Sequence, residues 1–285
     1  MNKTIRYAIY GVIVVLCVIA IIVGVYGQIH VDYENRVISQ DTIIDEESFE
    51  DIDVIDNENF KRLLYDKLLQ QDYDTSNIKF VDTENHNNEI LFNYNVPAAD
   101  NVTGKFILPV INIKSDVVTK LNEKTVSYIT LKDKVLAQAK SSNSSVNMEA
   151  GYAAYIKDDI LSIAIRCSYK IGTETQVVMI SSYNYDIKND KLVTMNELID
   201  KYSLDKDKIN EKIAAVIKRQ NQSAKDVVNS GYQGIYMRKV DDDMYKIENS
   251  DNFLLGEDGR IYVIYSYGEN YATATYDVIE ITMNK

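Results

Sequence analysis

The residues that most often carry out nucleophilic or acid–base chemistry are scarce in this chain. Its only histidines are His30 and His86, and its only cysteines are Cys17 and Cys167. A serine or cysteine nucleophile needs a positioned base beside it, and neither histidine has a convincing partner in the sequence. We therefore predict that both histidines are surface residues. The cysteines are not expected to pair, because Cys17 lies in an apolar run and Cys167 in a predicted strand.

Carboxylates are the remaining side chains that could bind a metal ion or act in catalysis. Two acidic clusters could in principle gather calcium, but neither has the glycine-containing loop that calcium loops use for their turn. We predict that both are solvated charge, and we predict no metal, cofactor or catalytic residue. A pair of carboxylates for glycoside chemistry stays open, because spatial pairing cannot be read from a sequence. The clusters are Asp51, Asp53, Asp56 and Glu58, and Asp241, Asp242 and Asp243.

Tyrosine is unusually frequent, with 22 copies in a chain that has no tryptophan. Tyrosine suits interfaces because it offers a large rigid surface with a polar tip. One hypothesis is a partner-binding face, and the alternative is that these tyrosines are ordinary strand residues. The candidate face consists of Tyr169, Tyr183, Tyr185, Tyr265, Tyr267 and Tyr271.

The charge balance limits the classes of partner. The chain carries 43 acidic against 31 basic side chains, a net charge of −12, and 46% of its residues are hydrophobic. A hydrophobic content this high supports a folded core. An acidic surface repels nucleic-acid phosphates and favours cationic partners. We therefore expect no nucleic-acid partner.

The N-terminal region predicts a membrane anchor. Residues 7–27 form an uncharged apolar run that is long enough to span a bilayer as a helix. Lys3 and Arg6 precede it, and the acidic residues 28–58 follow. The positive-inside rule then places residues 1–6 in the cytoplasm and the rest of the chain outside. The sequence thus predicts a single-pass cell-membrane protein, although a cleaved signal peptide stays an alternative.

Beyond the anchor, hydrophobic periodicity divides the chain into a stalk and two folded parts. Residues 28–58 read as a self-repelling stalk, residues 59–145 as an N-terminal α+β part, and residues 146–285 as a C-terminal α+β part. Three strand-like runs follow one another in the C-terminal part: Met148–Lys157, Ile160–Ile171 and Val177–Lys188. Their spacing predicts an antiparallel meander.

The second run of the meander alternates strictly between apolar and small or polar residues, which predicts one buried face and one wet face. Helices are predicted after the cap residues Ser115 and Ser203, and at the capping box that Thr194 begins. We predict an α+β fold in which helices pack on one face of an antiparallel sheet.

The order of several weak motifs resembles the RsiV/PdaC-type extracytoplasmic domain family. That family includes the ectodomain of a lysozyme-receptor anti-sigma factor and the N-terminal region of a peptidoglycan deacetylase. The resemblance covers about residues 80–283. It rests on Phe106–Ile113 leading into Val117–Leu136, and on Asp158–Ser162, Ser182–Asp186, Lys191–Thr194 and Phe253–Gly259.

Two departures limit what the resemblance implies. Gly172-Thr173-Glu174-Thr175 stands where the family has a Gly-Gly-Ala-His turn, so no role of that turn carries over. Only about six residues precede the predicted span, so anti-sigma activity is not expected, and no deacetylase domain is recognisable. The resemblance implies the sensing or binding module alone.

The main hypothesis is therefore a membrane-anchored module at the envelope of a Gram-positive bacterium. It would bind lysozyme, another cationic wall-active protein or a cell-wall component, and it would not be an enzyme. A net charge of −14 beyond Lys3 and Arg6 would attract a cationic partner. Two alternatives stay open: a peptidoglycan-related enzyme or accessory factor that uses carboxylates, and a structural component of an envelope or sporulation complex.

Overall fold

A computed structural model describes residues 52–55, 57–69, 72–97, 102–231, 237–256, 259–267 and 275–282. The predicted cytoplasmic tail, the predicted transmembrane helix and residues 28–51 of the predicted stalk lie outside the described residues. Among the helices that are described, none is both long enough and apolar enough to cross a membrane.

Strands and helices alternate along the described chain. The strands are β1 (Ile52–Ile55), β2 (Leu91–Asn95), β3 (Val102–Thr103), β4 (Ile107–Ile111), β5 (Val146–Lys157), β6 (Ile160–Ile171), β7 (Val177–Asp186), β8 (Lys191–Leu192), β9 (Phe253–Leu255), β10 (Arg260–Tyr267) and β11 (Thr275–Thr282). The helices are α1 (Asn57–Arg62), α2 (Asp116–Ser141), α3 (Met195–Lys201) and α4 (Lys206–Asn229), and two short 3-10 turns cover Asp243–Tyr245 and Ile247–Asn249.

The predicted meander forms the centre of a five-stranded sheet in the order β3-β5-β6-β7-β8. β5, β6 and β7 are antiparallel, whereas β3 runs parallel to β5. The two-residue turn between β5 and β6 places Asp158 and Asp159 at φ of 49° and 67°. Aspartate tolerates this left-handed conformation better than most residues, so the turn chemistry agrees with the tight hairpin.

A second sheet, in the order β1-β11-β10-β9, packs against one face of the first. Small residues of the first sheet, Ala153 and Ala164, meet apolar side chains of the second, including Leu254 and Ile264. The face of β6 that was predicted to be wet is therefore buried. Ser162 and Ala164 have no exposed surface, and Arg166 is 6% exposed. That prediction is wrong because the second sheet covers this face.

Helices cover the outer face of each sheet. The buried side of α2 packs on the first sheet together with β2 and β4. The buried sides of α3 and α4 pack on the second sheet. The predicted α+β class is confirmed, and each sheet has helices on one face, but a second sheet was not foreseen.

Two of the three predicted helix caps are confirmed. The hydroxyl of Ser115 accepts hydrogen bonds from the first turn of α2, and Thr194 and Glu197 form a capping box at α3. Ser203 does not cap α4. The cap of α4 is Asp205, whose carboxylate accepts from the backbone N–H of Lys208.

Buried polar side chains join the two sheets at the free edge of β9. Asn184 Nδ2 donates to the carbonyl oxygen of Phe253 at 2.9 Å, and Leu255 N donates to Ser162 Oγ at 2.8 Å. The Ser162 hydroxyl also donates to Asn184 Oδ1. An unpaired backbone group in a buried strand is costly. The side chains of Asn184 and Ser162 therefore supply the hydrogen bonds that a neighbouring strand would otherwise make to this edge of β9.

We expect Asn184→Ala to lower the free energy of unfolding by about 2 kcal/mol, because the buried Phe253 carbonyl loses its donor and the buried Ser162 O–H loses its acceptor. Asn147→Ala is the matched control, since Asn147 is an exposed residue of β5, and it should change stability by less than about 0.5 kcal/mol. Urea unfolding of both variants measures the difference. Equal stability of the two variants would contradict the role given to Asn184.

Candidate functional site

A cavity of about 560 Å³ opens beside β2, outside the layers of the two sheets. We call it the His86 pocket. Segments 67–75 and 86–93 build most of its wall, and Tyr152 of β5 also lines it. Its lining residues are Lys67, Leu68, Tyr73, Thr75, His86, Asn88, Glu89, Ile90, Leu91, Phe92, Asn93 and Tyr152.

One buried asparagine holds the loop that carries His86. Asn112 is 1% exposed and follows β4. Its Nδ2 donates to the carbonyl oxygens of Asp82 and His86 at 3.0 and 2.8 Å, and its Oδ1 accepts from Asp82 N at 2.8 Å. The Asn112 carbonyl oxygen also accepts from Val81 N. A loop without regular structure thereby obtains fixed partners for its backbone.

Asp82 gives the same loop a local turn. Its carboxylate accepts hydrogen bonds from the backbone N–H groups of Glu84 and Asn85. These bonds, led by the one from Asn85, hold the pKa of Asp82 below its ordinary value. His86 follows this turn and lies at the rim of the pocket.

An aromatic stack forms one side of the pocket. The rings of His86 and Phe92 are parallel, with centroids 3.9 Å apart. His86 Nδ1 lies 2.9 Å from Glu89 Oε2, and the His86 side chain is 31% exposed. Glu89 therefore fixes the orientation of the imidazole ring against Phe92.

Two tyrosine hydroxyls are fixed at the pocket by hydrogen bonds. Tyr152 donates to Asn93 Oδ1 at 2.6 Å, and Tyr73 donates to Asp159 Oδ1 at 2.8 Å. Burial raises the pKa of both tyrosines, and the hydrogen bond to Asp159 raises that of Tyr73 further. Both phenols are therefore neutral at physiological pH, and they contribute ring surface without charge.

The stretch that joins the two wall segments, together with its ends in the wall, is strongly acidic. Residues 72–93 contain five acidic side chains against one lysine, Lys79. Among the acids of this segment, Glu89 lines the pocket itself, and a carboxylate beside aromatic surface is suited to the side chain of a lysine or arginine. The five acids are Asp72, Asp74, Asp82, Glu84 and Glu89.

Three observations on the described residues bear on catalytic chemistry. No group of three or more potential metal ligands occurs among those residues. Cys167 is buried, and burial raises the pKa of its thiol to about 12, which keeps it protonated and unreactive. Burial raises the pKa of Glu248, but the Asn210 hydrogen bond and nearby lysines outweigh that effect and leave it lowered. A glycosidase general acid needs the opposite shift.

Three of the six candidate tyrosines have buried side chains in the part of the chain that the structure describes. Tyr183, Tyr185 and Tyr265 are buried, at 6%, 1% and 3% exposure, so the prediction is wrong for these three residues. The cause is their position in the strands, where each ring faces a helix-covered core. Tyr169 is half-buried, whereas the side chain of Tyr267 and the whole of Tyr271 lie outside the described residues.

Sequence reasoning missed the residues that line the His86 pocket. His86 was predicted to be a surface residue, and it is partly exposed, but it also forms part of a cavity wall. The acidic bias of residues 72–93 was the one available signal. The acids Asp241, Asp242 and Asp243 form no metal site: Asp242 caps a 3-10 turn and Asp243 pairs with Lys246. The other predicted acidic cluster, from Asp51 to Glu58, has no described side chains.

Comparison with known proteins gives structural neighbours but no sequence family. No protein-family model and no curated protein matches the chain. A DUF3298 family protein of Pseudomonas aeruginosa aligns with 68% of this chain and 89% of its own, at 9% identity and a TM-score of 0.36. A DUF3298 family member of Bacteroides fragilis aligns with 67% of this chain and 88% of its own, at 14% identity and a TM-score of 0.31.

We expect Asn112→Ala to loosen the loop at residues 81–90, because it removes three side-chain hydrogen bonds to that loop. The free energy of unfolding should fall by about 2 kcal/mol, and amide hydrogen exchange should accelerate in the loop. Asn87→Ala is the control, since Asn87 is exposed in the same loop. If Asn112→Ala left the loop amides as protected as in the parent chain, Asn112 would not hold the loop.

The Asp82 turn predicts a definite acid response. Because the pKa of Asp82 is lowered in the folded chain, its stabilisation is present above the unfolded value of about 3.9. That stabilisation is lost as the pH falls through the lower folded pKa. An NMR titration of the Asp82 carboxyl carbon should give a midpoint below about 3.9. A midpoint at or above the unfolded value would contradict the turn.

Proposed function

We propose that this protein is a membrane-anchored binding module at the cell envelope that captures a cationic protein, such as lysozyme, through the His86 pocket. The observation that carries this proposal is the coincidence of an acidic segment, residues 72–93, with a cavity lined by aromatic rings. Neither feature alone would indicate a ligand. Together they fit a lysine or arginine side chain on the surface of a partner.

The charge of the whole chain supports the same class of partner. A net charge of −12 raises the rate at which a cationic protein meets this surface. Specific capture also needs a fixed feature at the point of contact. The loop that Asn112 and Asp82 hold in place supplies that feature in the His86 pocket.

We further propose the membrane location and the division of the chain. The basic residues before the apolar run 7–27 support this location, because the positive-inside rule would then put the folded part outside the cell. The acidic residues 28–58 then keep it away from the bilayer. An outward-facing module of this kind would meet cationic proteins that act on the cell wall. The two α+β parts, 59–145 and 146–285, would act as one binding unit, because β3 of the first pairs with β5 of the second.

Substitution of Lys67 tests the proposal, because it should raise the affinity for a cationic protein. It lines the pocket and carries the charge of the proposed ligand side chain, so it should oppose binding. We expect Lys67→Gln to tighten the binding of a cationic protein. We expect the triple variant Asp72→Asn, Asp74→Asn, Glu84→Gln to weaken it about tenfold, which corresponds to about 1.4 kcal/mol.

The measurement is calorimetry of the full-length chain with lysozyme, at low and at near-physiological salt, because screening removes non-specific attraction. Asp200→Asn, Asp207→Asn, Glu211→Gln is the matched control. It removes the same charge from α3 and α4, on the opposite side of the two sheets. Equal weakening by the two triple variants would show that only overall charge matters and would overturn the assignment of the pocket.

A further inference from the structure

A second cavity system lies along the outer edge of β7, between α2 and the segment that leads into β9. Two adjoining cavities of about 440 and 410 Å³ share the lining residues Lys124, Ser182, Tyr183 and Asp251. We call this pair the β7 groove. The His86 pocket shares no lining residue with it, so an inference from the β7 groove is independent of the function proposed above.

Tyr183 is the unusual residue of this groove. It is 6% exposed, and its hydroxyl has no hydrogen-bond partner. Burial raises the pKa of Tyr183, and the hydroxyls of Ser181 and Thr125 reduce that shift, but neither has the geometry of a hydrogen bond to it. The Ser181 hydroxyl is instead paired with Tyr128. A buried hydroxyl without a partner destabilises a folded chain, so its presence beside a cavity suggests a partner that arrives with a ligand.

Lys124 places a positive charge at the same point. Its Nζ lies 5.8 Å from the centroid of the Tyr183 ring, and within the described residues it forms no ion pair. An ammonium beside an unsatisfied phenol offers two donors for one anionic oxygen group. Such charge-assisted hydrogen bonds favour a carboxylate.

The groove also has an acidic side. Asp251 lines both cavities, and Glu248 lines one of them. Glu248 is already bound by Asn210, whose Nδ2 donates to it at 2.8 Å. Asp251 is exposed. A ligand that fills the groove therefore meets the ammonium of Lys124 and the exposed carboxylate of Asp251 in one space, and such a pair of opposite charges is complementary to a zwitterion.

We propose that the β7 groove binds a short peptide with free termini, whose carboxylate is held by Lys124 and the Tyr183 hydroxyl and whose amino group faces Asp251. The combined cavity volume lies within the range of small-ligand sites. The side chain of Lys124 is exposed, and its Nζ lies over the Tyr183 ring. It moves toward the ligand carboxylate and so opens the way to the hydroxyl.

Calorimetry of the full-length chain with the dipeptide Ala-Ala tests this site. We expect saturable binding at millimolar concentration, and about tenfold weaker binding of Ala-Ala amide, which lacks the carboxylate. Tyr183→Phe should weaken Ala-Ala binding by a similar factor without lowering the melting temperature, because it removes only an unpaired hydroxyl. Tyr94→Phe is the control, because Tyr94 is an exposed residue of β2.

Two results would overturn the site. One is an absence of saturable Ala-Ala binding to the parent chain. The other is equal affinity of the parent chain and Tyr183→Phe for Ala-Ala. Lys67→Gln, in the His86 pocket, should leave Ala-Ala binding unchanged, so a failure of this proposal is distinguishable from a failure of the one for the cationic protein.

Discussion

The contact between the two sheets is the constraint on which the rest of the structure depends. β9 has three residues and pairs with β10 along one edge. Along its other edge, the backbone groups of β9 form hydrogen bonds with side chains of the first sheet. Ser162 and Asn184 satisfy that edge at the bottom of a buried interface. Without them, backbone groups of β9 would be buried without partners, and the sheets could not close on each other.

Closure of the two sheets explains where irregular structure can occur. Both inner faces are buried against each other, and helices cover both outer faces, so the layered core leaves little room for a ligand. The His86 pocket and the β7 groove both lie at margins of the first sheet. Asn112 fixes the loop at the His86 pocket, and Asn252, at the β7 groove, donates from its Nδ2 to the carbonyl oxygen of Ile180. Binding and catalytic residues often lie on loops that a rigid scaffold positions in this way.

Local patterns predicted much of the fold. The meander followed from strict alternation and from the Asp158-Asp159 turn, and the capping box at Thr194 marked the start of α3. The second sheet was missed because Ser162, Ala164 and Arg166 resemble a solvent-facing series. Small residues on that face allow another sheet to approach, but they also occur on exposed faces. Candidate binding residues were harder to predict, because the loop around His86 has no period and depends on Asn112, which is distant in sequence.

The central claim is that a cationic protein binds at the loop carrying His86. Amide hydrogen exchange of the full-length chain, measured with and without saturating lysozyme at near-physiological salt, tests it most directly. The account predicts protection concentrated in residues 72–93 and at Tyr152, with little change in α3 and α4. Binding that protects the α4 side, or that leaves residues 72–93 unprotected, would contradict it.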